Sequence, residues 1–129
     1  MSPATSRKAA RRQALFLLYQ WDLTGQELAS LFDGEPDDFA FELAQAVAGR
    51  APSLDARITE ASPDWPADRL GTLERNILRV GVYELLEKTV PREVAINEAV
   101  VLAKRYATDE AARLVNGILA RVAREQEAA

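Results

Sequence analysis

The sequence predicts an all-α protein with about six or seven helices, arranged as two small helical bundles around one central helix. Hydrophobic residues recur at helical spacing along most of the chain. The composition is rich in alanine and leucine, and only 6 of the 129 residues are glycine. No stretch shows the alternation and bounding turns that are typical of strands. A chain of this length is expected to form one domain with its own core.

The central helix is predicted over residues 73–88, LERNILRVGVYELLEK. Its apolar side chains cover almost the whole circumference of a helix, with Ile77 and Val80 on one side and Leu85 on the next. Such a helix is normally buried by neighbours on several sides. Gly81 costs about 1 kcal/mol relative to alanine inside a helix, which indicates that another backbone approaches closely there.

The first helix is predicted to start at Ser2 and Pro3 and to stop at Gly25, because proline is tolerated in the first turn of a helix and glycine often ends one. Residues 26–36 are short and acidic, and we expect a loop or a broken turn of helix. A second helix should begin at Asp37, since negative charge is favoured near a helix N-terminus.

A third helix is predicted to end at Pro63 and Pro66, which bracket Trp65. We interpret this segment as the hinge between two helical subdomains of the single domain. The N-terminal subdomain would cover about residues 1–65 and the C-terminal subdomain about residues 66–129.

Two more helices are predicted after the central one. The residues expected on the buried face of the first of them are Val94, Ile96, Ala99, Val100 and Ala103. Thr108 is expected to cap the last helix, whose apolar residues form a continuous stripe.

The composition argues against an enzyme. The chain has no cysteine and no histidine, which removes the usual nucleophiles and the usual soft metal ligands. No glycine-rich phosphate loop or dinucleotide fingerprint is present. We interpret the carboxylate clusters as solvated helix faces, so the sequence predicts a binding protein without a cofactor or a metal. The cytoplasm is the expected location, since the chain has no cysteine for disulfides. No apolar run approaches the roughly 20 residues needed to span a membrane.

The charges are distributed unevenly along the chain. The net charge is -4, but the first 25 residues hold four basic residues against one acidic residue, while residues 26–70 hold ten acidic residues against three arginines. The four cations form a stripe on the first helix, and either Tyr19 or Phe16 is a candidate for stacking on an unpaired base. The stripe consists of Arg7, Lys8, Arg11 and Arg12. The stripe is consistent with nucleic-acid binding and also with a plain solvated basic face, and the residues alone leave both interpretations open.

Asn97 and Asn116 lie among apolar residues in predicted helices. Asparagine is a mediocre helix former. Each of them is either a polar contact to a partner or a base, or an internal hydrogen-bonding residue, and the sequence leaves both interpretations open.

The segment ERNILRVGVYELLEKTVPREVAINEAVVLAKRYATDEAARLVNGILARVA resembles the C-terminal half of the NusB family of bacterial transcription antitermination factors. The N-terminal RRQALFLLYQWDLTG is similar to the first helix of that family. The resemblance implies an RNA-binding protein made of two helical bundles. It also implies binding to the single-stranded boxA element of ribosomal RNA leaders together with NusE, a small-subunit ribosomal protein. The pair then acts on RNA polymerase with other Nus factors and prevents premature termination.

The resemblance also implies roles for particular residues. The basic N-terminal positions would hold RNA phosphates, and a second set around the start of the last helix would lie on the same RNA surface: Tyr106, Glu110, Leu114 and Asn116. Glu74 and Arg75 on the central helix would face NusE.

Two alternatives remain at this stage. One is an adaptor that uses Glu74, Glu84 and the acidic middle segment to bind a basic protein, with no role for RNA. The other is a cousin of the NusB-like domain that is fused to ribosomal RNA cytosine methyltransferases. No methyltransferase domain follows within this sequence.

Overall fold

A computed structural model describes residues 6–31 and 37–128, which form six α-helices and two short 3-10 turns and contain no β-strand. The predicted all-α class is therefore confirmed. The 3-10 turns are Leu28–Leu31 and Ala67–Arg69. The helices are α1 (Arg7–Thr24), α2 (Asp38–Gly49), α3 (Ala51–Ala61), α4 (Thr72–Glu87), α5 (Arg92–Tyr106) and α6 (Asp109–Ala128).

Local capping explains the ends of α1. The Ser6 hydroxyl accepts a hydrogen bond from the Ala9 amide at 3.1 Å, which satisfies one of the free N–H groups of the first turn. Gly25 has a φ of 75° and donates its N–H to the Trp21 carbonyl, so the predicted stop at this glycine is confirmed. The predicted start at Ser2 and Pro3 lies outside the described residues, and the described helix begins later, at Arg7.

Side chains also cap α2 and α6. Asp37 accepts a hydrogen bond from the Ala40 amide at 3.0 Å and starts α2. Thr108 accepts one from the Ala111 amide at 2.9 Å and starts α6, as the sequence predicts. Of the predicted acidic loop, the described part includes the 3-10 turn Leu28–Leu31, and residues 32–36 lie outside the described residues.

The α4 helix is the centre of the fold, because it contacts each of the other five helices. Ile77, Leu78 and Val82 on this helix are almost completely buried. A methyl group built on Gly81 would lie 2.7 Å from Cδ1 of Leu119 in α6. The predicted close approach is therefore real, but the group that approaches is a buried side chain and not a backbone.

The prediction that α4 is apolar almost all round is wrong in one respect. The helix buries Asn76, Arg79 and Glu84 together with its apolar residues, while Leu86 is exposed. The buried polar side chains all find partners, and no buried side-chain nitrogen or oxygen in the described residues lacks a hydrogen bond.

The prediction for the buried face of α5 is correct for Ala99 and Ala103 and wrong for Val94. Ala95, Ala99 and Ala103 are buried, whereas Val94 is exposed and Ile96 is only half-buried. Leu102 and Glu98 complete the buried face, which packs against α4 and α6.

No helix in the described part of the chain is long and apolar enough to cross a membrane. The predicted division into two subdomains near residue 65 remains a prediction. Contacts cross this position, since α4 packs against helices from both halves and α3 contacts α6.

Candidate nucleic-acid interface

Helix α1 lies beside α5, with its basic start next to the middle of α5 and Phe16 next to the end of α5. The Lys8 ammonium is 3.6 Å from the Glu98 carboxylate, and the Phe16 ring meets the Tyr106 ring at 5.0 Å in an edge-to-face arrangement with an interplanar angle of 78°. Each contact uses residues eight positions further along both helices, so α1 and α5 run in the same direction for about two turns. This places Lys8 on the side of α1 that faces α5, the side on which Phe16 meets Tyr106.

Several cations are available along this surface. Lys8 is exposed beside α5, and Arg7 is exposed but faces α2, where its guanidinium lies 4.7 Å from the Phe39 ring centre. Arg12 is half-buried and lies one helical turn before Phe16. These positions can meet an approaching polyanion without breaking the core.

Arg105 adds a cation that sequence reasoning did not assign to this surface. Its guanidinium lies 5.4 Å from the Tyr106 ring centre, and its side chain is exposed, as is that of Lys104. The sequence suggested only a favourable charge at the C-terminus of α5 for these two residues. The run Lys-Arg-Tyr was the available signal, because basic residues next to an aromatic residue are typical of nucleic-acid surfaces.

The predicted cationic stripe is wrong at Arg11, which is buried. The Arg11 guanidinium donates hydrogen bonds to both carboxylate oxygens of Glu84, at 2.9 and 2.8 Å, and the two side chains are 3% and 2% exposed. On the helix, Arg11 shares its face with the buried Leu15 and Leu18 at positions i+4 and i+7, and this spacing was the signal that it points inward. Glu84 is therefore also withdrawn from the surface, which corrects its predicted role in binding a protein partner.

The two asparagines are exposed. Neither Asn97 nor Asn116 makes a side-chain hydrogen bond within residues 6–31 and 37–128, so the structure does not support internal hydrogen bonding. Glu110, Arg113 and Asn116 are exposed and three positions apart, so they lie along one face of α6. Tyr19 on α1 is half-buried.

A groove of about 370 Å³ joins the start of α4 to the start of α6. Trp65, Arg69, Glu74, Glu110 and Leu114 line it, and Trp65 is 55% exposed. The sequence assigned Glu74 to a protein partner and Glu110 to RNA, and the structure brings both into this one groove.

Arg75 points away from that groove. Its Nη2 atom lies 2.8 Å from Oδ2 of Asp22, and the same oxygen accepts hydrogen bonds from Asn76 and Arg79 at 3.0 Å each. Arg79 in turn makes a bidentate contact of 2.7 and 2.6 Å with Asp55. This polar network ties α1, α3 and α4 together, so the structure gives Arg75 an internal role where the sequence predicted a partner-facing one.

Asp22 is the centre of this network. Burial by itself raises the pKa of Asp22, but the hydrogen bonds from Arg75 and Asn76 and the positive charges of Arg79 and Arg75 outweigh burial and lower the pKa below its usual range. Sequence reasoning missed this residue. The signal was an acidic residue that directly follows Trp21 in an otherwise apolar helical stretch.

The described residues contain nothing arranged for acid–base or metal chemistry. Among the described residues, the pKa is shifted downward for the carboxyl groups of Asp22, Glu93 and Glu125. Such groups remain ionised, whereas a general acid requires a raised pKa. No group of three or more potential metal ligands occurs among the described residues.

Comparison with known proteins gives a consistent result. The model of the NusB family matches residues 8–124. A protein of Rubrobacter xylanophilus, called transcription antitermination protein NusB, is 41% identical over 121 residues, which cover 88% of this chain and 87% of the relative. A protein of the same name from Dehalococcoides mccartyi (strain CBDB1) is 38% identical over 93% of this chain and 91% of the relative.

Solved structures agree with the sequence relatives. The chain is similar to T. maritima NusB with a TM-score of 0.83 and 34% identity, and the match covers 95% of this chain and 94% of the other. It is also similar to a chain from a crystal structure of the antitermination factors NusB and NusE in complex with double-stranded RNA. That match has a TM-score of 0.80 and 30% identity, over 92% of this chain and 96% of the other.

Proposed function

The chain belongs to the NusB family of transcription antitermination proteins, which are not enzymes, and on this basis we propose that it binds single-stranded boxA RNA of ribosomal RNA leader transcripts together with NusE. The bound pair joins RNA polymerase and other Nus factors and reduces premature termination. The place of this activity is the bacterial cytoplasm, where transcripts are made.

The observation that carries the RNA part of the proposal is the contact between α1 and α5. Through the Phe16–Tyr106 ring pair, the basic N-terminal helix and an aromatic helix end share one surface. Cations on such a surface neutralise phosphates and release counterions, while rings stack on unpaired bases. We assign the phosphate contacts to Arg7, Lys8 and Arg12, with Tyr19, Tyr106, Glu110 and Asn116 beside the same RNA path.

Arg11 supports this surface indirectly in our proposal. Glu98 lies 3.6 Å from the Lys8 ammonium and 4.0 Å from the Arg11 guanidinium. The buried Arg11 therefore helps to hold the carboxylate that orients Lys8 at the surface.

The groove between α4 and α6 supports the protein-partner part of the proposal. It places the Glu74 carboxylate close to the exposed indole of Trp65. Carboxylates and an aromatic face together favour a basic partner through charge pairing and cation–π contacts. Ribosomal proteins are typically basic, and a solved relative forms a complex with NusE and RNA.

The test measures RNA binding by fluorescence anisotropy, with a labelled boxA RNA strand added to the protein in the presence and absence of NusE. We expect tighter binding to boxA RNA than to a scrambled strand or to double-stranded RNA of the same length. The Lys8→Gln/Arg12→Gln variant should bind boxA RNA more weakly. Arg124→Gln, which removes one exposed cation from the far end of α6, should bind like the unmodified protein.

Three outcomes would overturn parts of this proposal. Equal binding to boxA and scrambled RNA would exclude sequence-specific recognition. Preferential binding to the duplex would exclude single-stranded RNA as the ligand. If the protein binds NusE but binds no RNA in the presence or absence of NusE, the protein adaptor would be favoured over the RNA-binding factor.

A further inference from the structure

We propose that Phe16 and Tyr106 form a stacking site for one unpaired nucleobase, with Arg12 and Arg105 placed to hold the phosphates on either side of it. The inference rests on the proposed RNA binding and adds a site for a base to a surface that so far accounts only for phosphates. It names the ligand class as a single exposed base of an RNA strand.

The exposure of Phe16 is the first observation. The three leucines that surround it in sequence, Leu15, Leu17 and Leu18, are buried, whereas Phe16 is 39% exposed. Gln13 and Gln20, one turn before and one turn after it, are also exposed. Phe16 therefore lies on an otherwise polar face of α1, and the core of this helix is complete without it.

The anchoring of the ring is the second observation. Tyr106 is half-buried and packs against the hydrophobic core, and Phe16 is not among the residues that pack there. Phe16 instead meets Tyr106 edge to face, with ring centres 5.0 Å apart. The pair leaves part of the Phe16 ring open to a base, because Phe16 is 39% exposed, while Tyr106 holds the ring in place from below.

The flanking charges are the third observation. Arg12 precedes Phe16 by one turn on α1. The Arg105 guanidinium lies 5.4 Å from the Tyr106 ring centre on α5, and no carboxylate within the described residues binds either arginine. A base stacked on the pair would therefore have a cation on each side for its backbone, which is the combination that single-stranded nucleic-acid sites use.

Packing alone is the competing explanation for Phe16. A ring that served only to shield Tyr106 would be replaceable by leucine without a specific effect on RNA. A stacking site depends on the aromatic face, so leucine fails there and tyrosine succeeds. The two explanations therefore predict different results for conservative substitutions.

The experiment compares Phe16→Leu and Phe16→Tyr with the unmodified protein, all in the presence of NusE. The ligands are a labelled boxA RNA strand and a series of the same strand with a single abasic position at each site in turn. We expect Phe16→Leu to weaken binding to the intact strand about tenfold, which corresponds to one lost base stack. Phe16→Tyr should bind normally. One abasic strand should bind weakly to the unmodified protein and lose nothing further with Phe16→Leu.

Leu23→Ala is the matched control, because Leu23 is an exposed apolar residue on the same helix. It should leave RNA affinity unchanged. Helix content and the melting temperature of each variant show whether it is folded.

Normal RNA affinity of a folded Phe16→Leu variant would overturn the inference. Equal weakening of the intact strand and of every abasic strand would also overturn it, because the ring would then act through the structure and not on one base. In both cases a continued loss of binding in Lys8→Gln/Arg12→Gln would leave the proposed RNA binding intact. Normal binding by that double variant would instead contradict the phosphate contacts of the proposed function itself.

Discussion

The Arg11 guanidinium and the Glu84 carboxylate form a buried, bidentate ion pair between α1 and α4, with contacts of 2.9 and 2.8 Å. An unpaired charge in this position would be strongly unfavourable, so the pair fixes how α1 is rotated on the central helix. With Arg11 turned inward, its neighbours Lys8 and Arg12 lie toward the surface. The same contact therefore helps both to hold the fold and to orient the proposed RNA surface.

Removal of one member of this pair should be costly. We expect Arg11→Met to lower the free energy of unfolding by about 3 to 5 kcal/mol, because it leaves the Glu84 carboxylate buried without its main partner. Chemical denaturation measures this change.

The double variant Arg11→Met/Glu84→Met provides the control. It leaves no unpaired charge and should regain most of the lost stability. Arg50→Ala, which breaks the exposed pair with Glu87, should cost less than about 1 kcal/mol. A small effect of Arg11→Met, equal to that of Arg50→Ala, would contradict the importance of the buried pair.

The Asp22 network predicts a dependence of stability on acid pH. Because the pKa of Asp22 is lowered in the folded state, its ion pairs stabilise the protein fully above the unfolded-state pKa of about 4. This contribution is lost as the pH falls through the lower folded-state pKa. We expect Asp22→Asn to lower the free energy of unfolding at pH 7 by about 1 to 3 kcal/mol, since Arg75 and Arg79 lose a charged acceptor.

Unfolding free energies of the two proteins at several pH values test this prediction. The difference between them should shrink as the pH falls below about 4, where Asp22 becomes protonated in the unfolded chain and then in the folded chain. A difference that stays constant down to the lowest pH at which both proteins fold would show that Asp22 contributes through packing instead of charge.

Two helical glycines provide a matched comparison. At Gly81 an added methyl group meets both Cδ atoms of Leu119, at 2.7 and 3.0 Å, whereas at Gly117 it meets nothing within 4 Å. Replacement of a helical glycine by alanine otherwise stabilises by about 1 kcal/mol. We expect Gly117→Ala to raise the melting temperature. Gly81→Ala should lower the free energy of unfolding by about 1 kcal/mol, because overpacking outweighs the helical preference. Equal effects of the two substitutions would show that Leu119 moves aside freely.

The sequence predicts the helices well because periodicity and capping are local properties. Gly25, Asp37 and Thr108 each end or begin a helix where their chemistry suggests. The sequence is a poorer guide to whether a charged residue is buried or exposed. Arg11 and Glu84 are 73 positions apart in the sequence, and neither position alone shows that the other will neutralise it.

The candidate site also has features that the sequence predicts and features that depend on long-range packing. Basic residues on one helix and an aromatic residue at the end of another are visible in the sequence. Their proximity depends on how α1 and α5 pack on α4, which periodicity does not specify. Phe16 and Tyr19 are both stacking candidates in the sequence, and the structure separates them, because Phe16 is exposed and contacts Tyr106 whereas Tyr19 is half-buried. The sequence explains Arg105 only as a favourable charge at the C-terminus of α5. Its place beside Tyr106 on the candidate RNA surface becomes visible only in the folded chain.

Salt dependence tests the number of phosphate contacts in the proposed RNA complex. If Arg7, Lys8 and Arg12 each neutralise one phosphate, the logarithm of the binding constant should fall with the logarithm of salt concentration at a slope of about -2, at roughly 0.7 per phosphate for a single strand. Arg12→Gln should reduce the magnitude of this slope by about 0.7, because one counterion fewer is released. Arg124→Gln should leave it unchanged. A slope near zero would mean that the contacts are not made to phosphates, and an unaltered slope for Arg12→Gln would remove Arg12 from the RNA path.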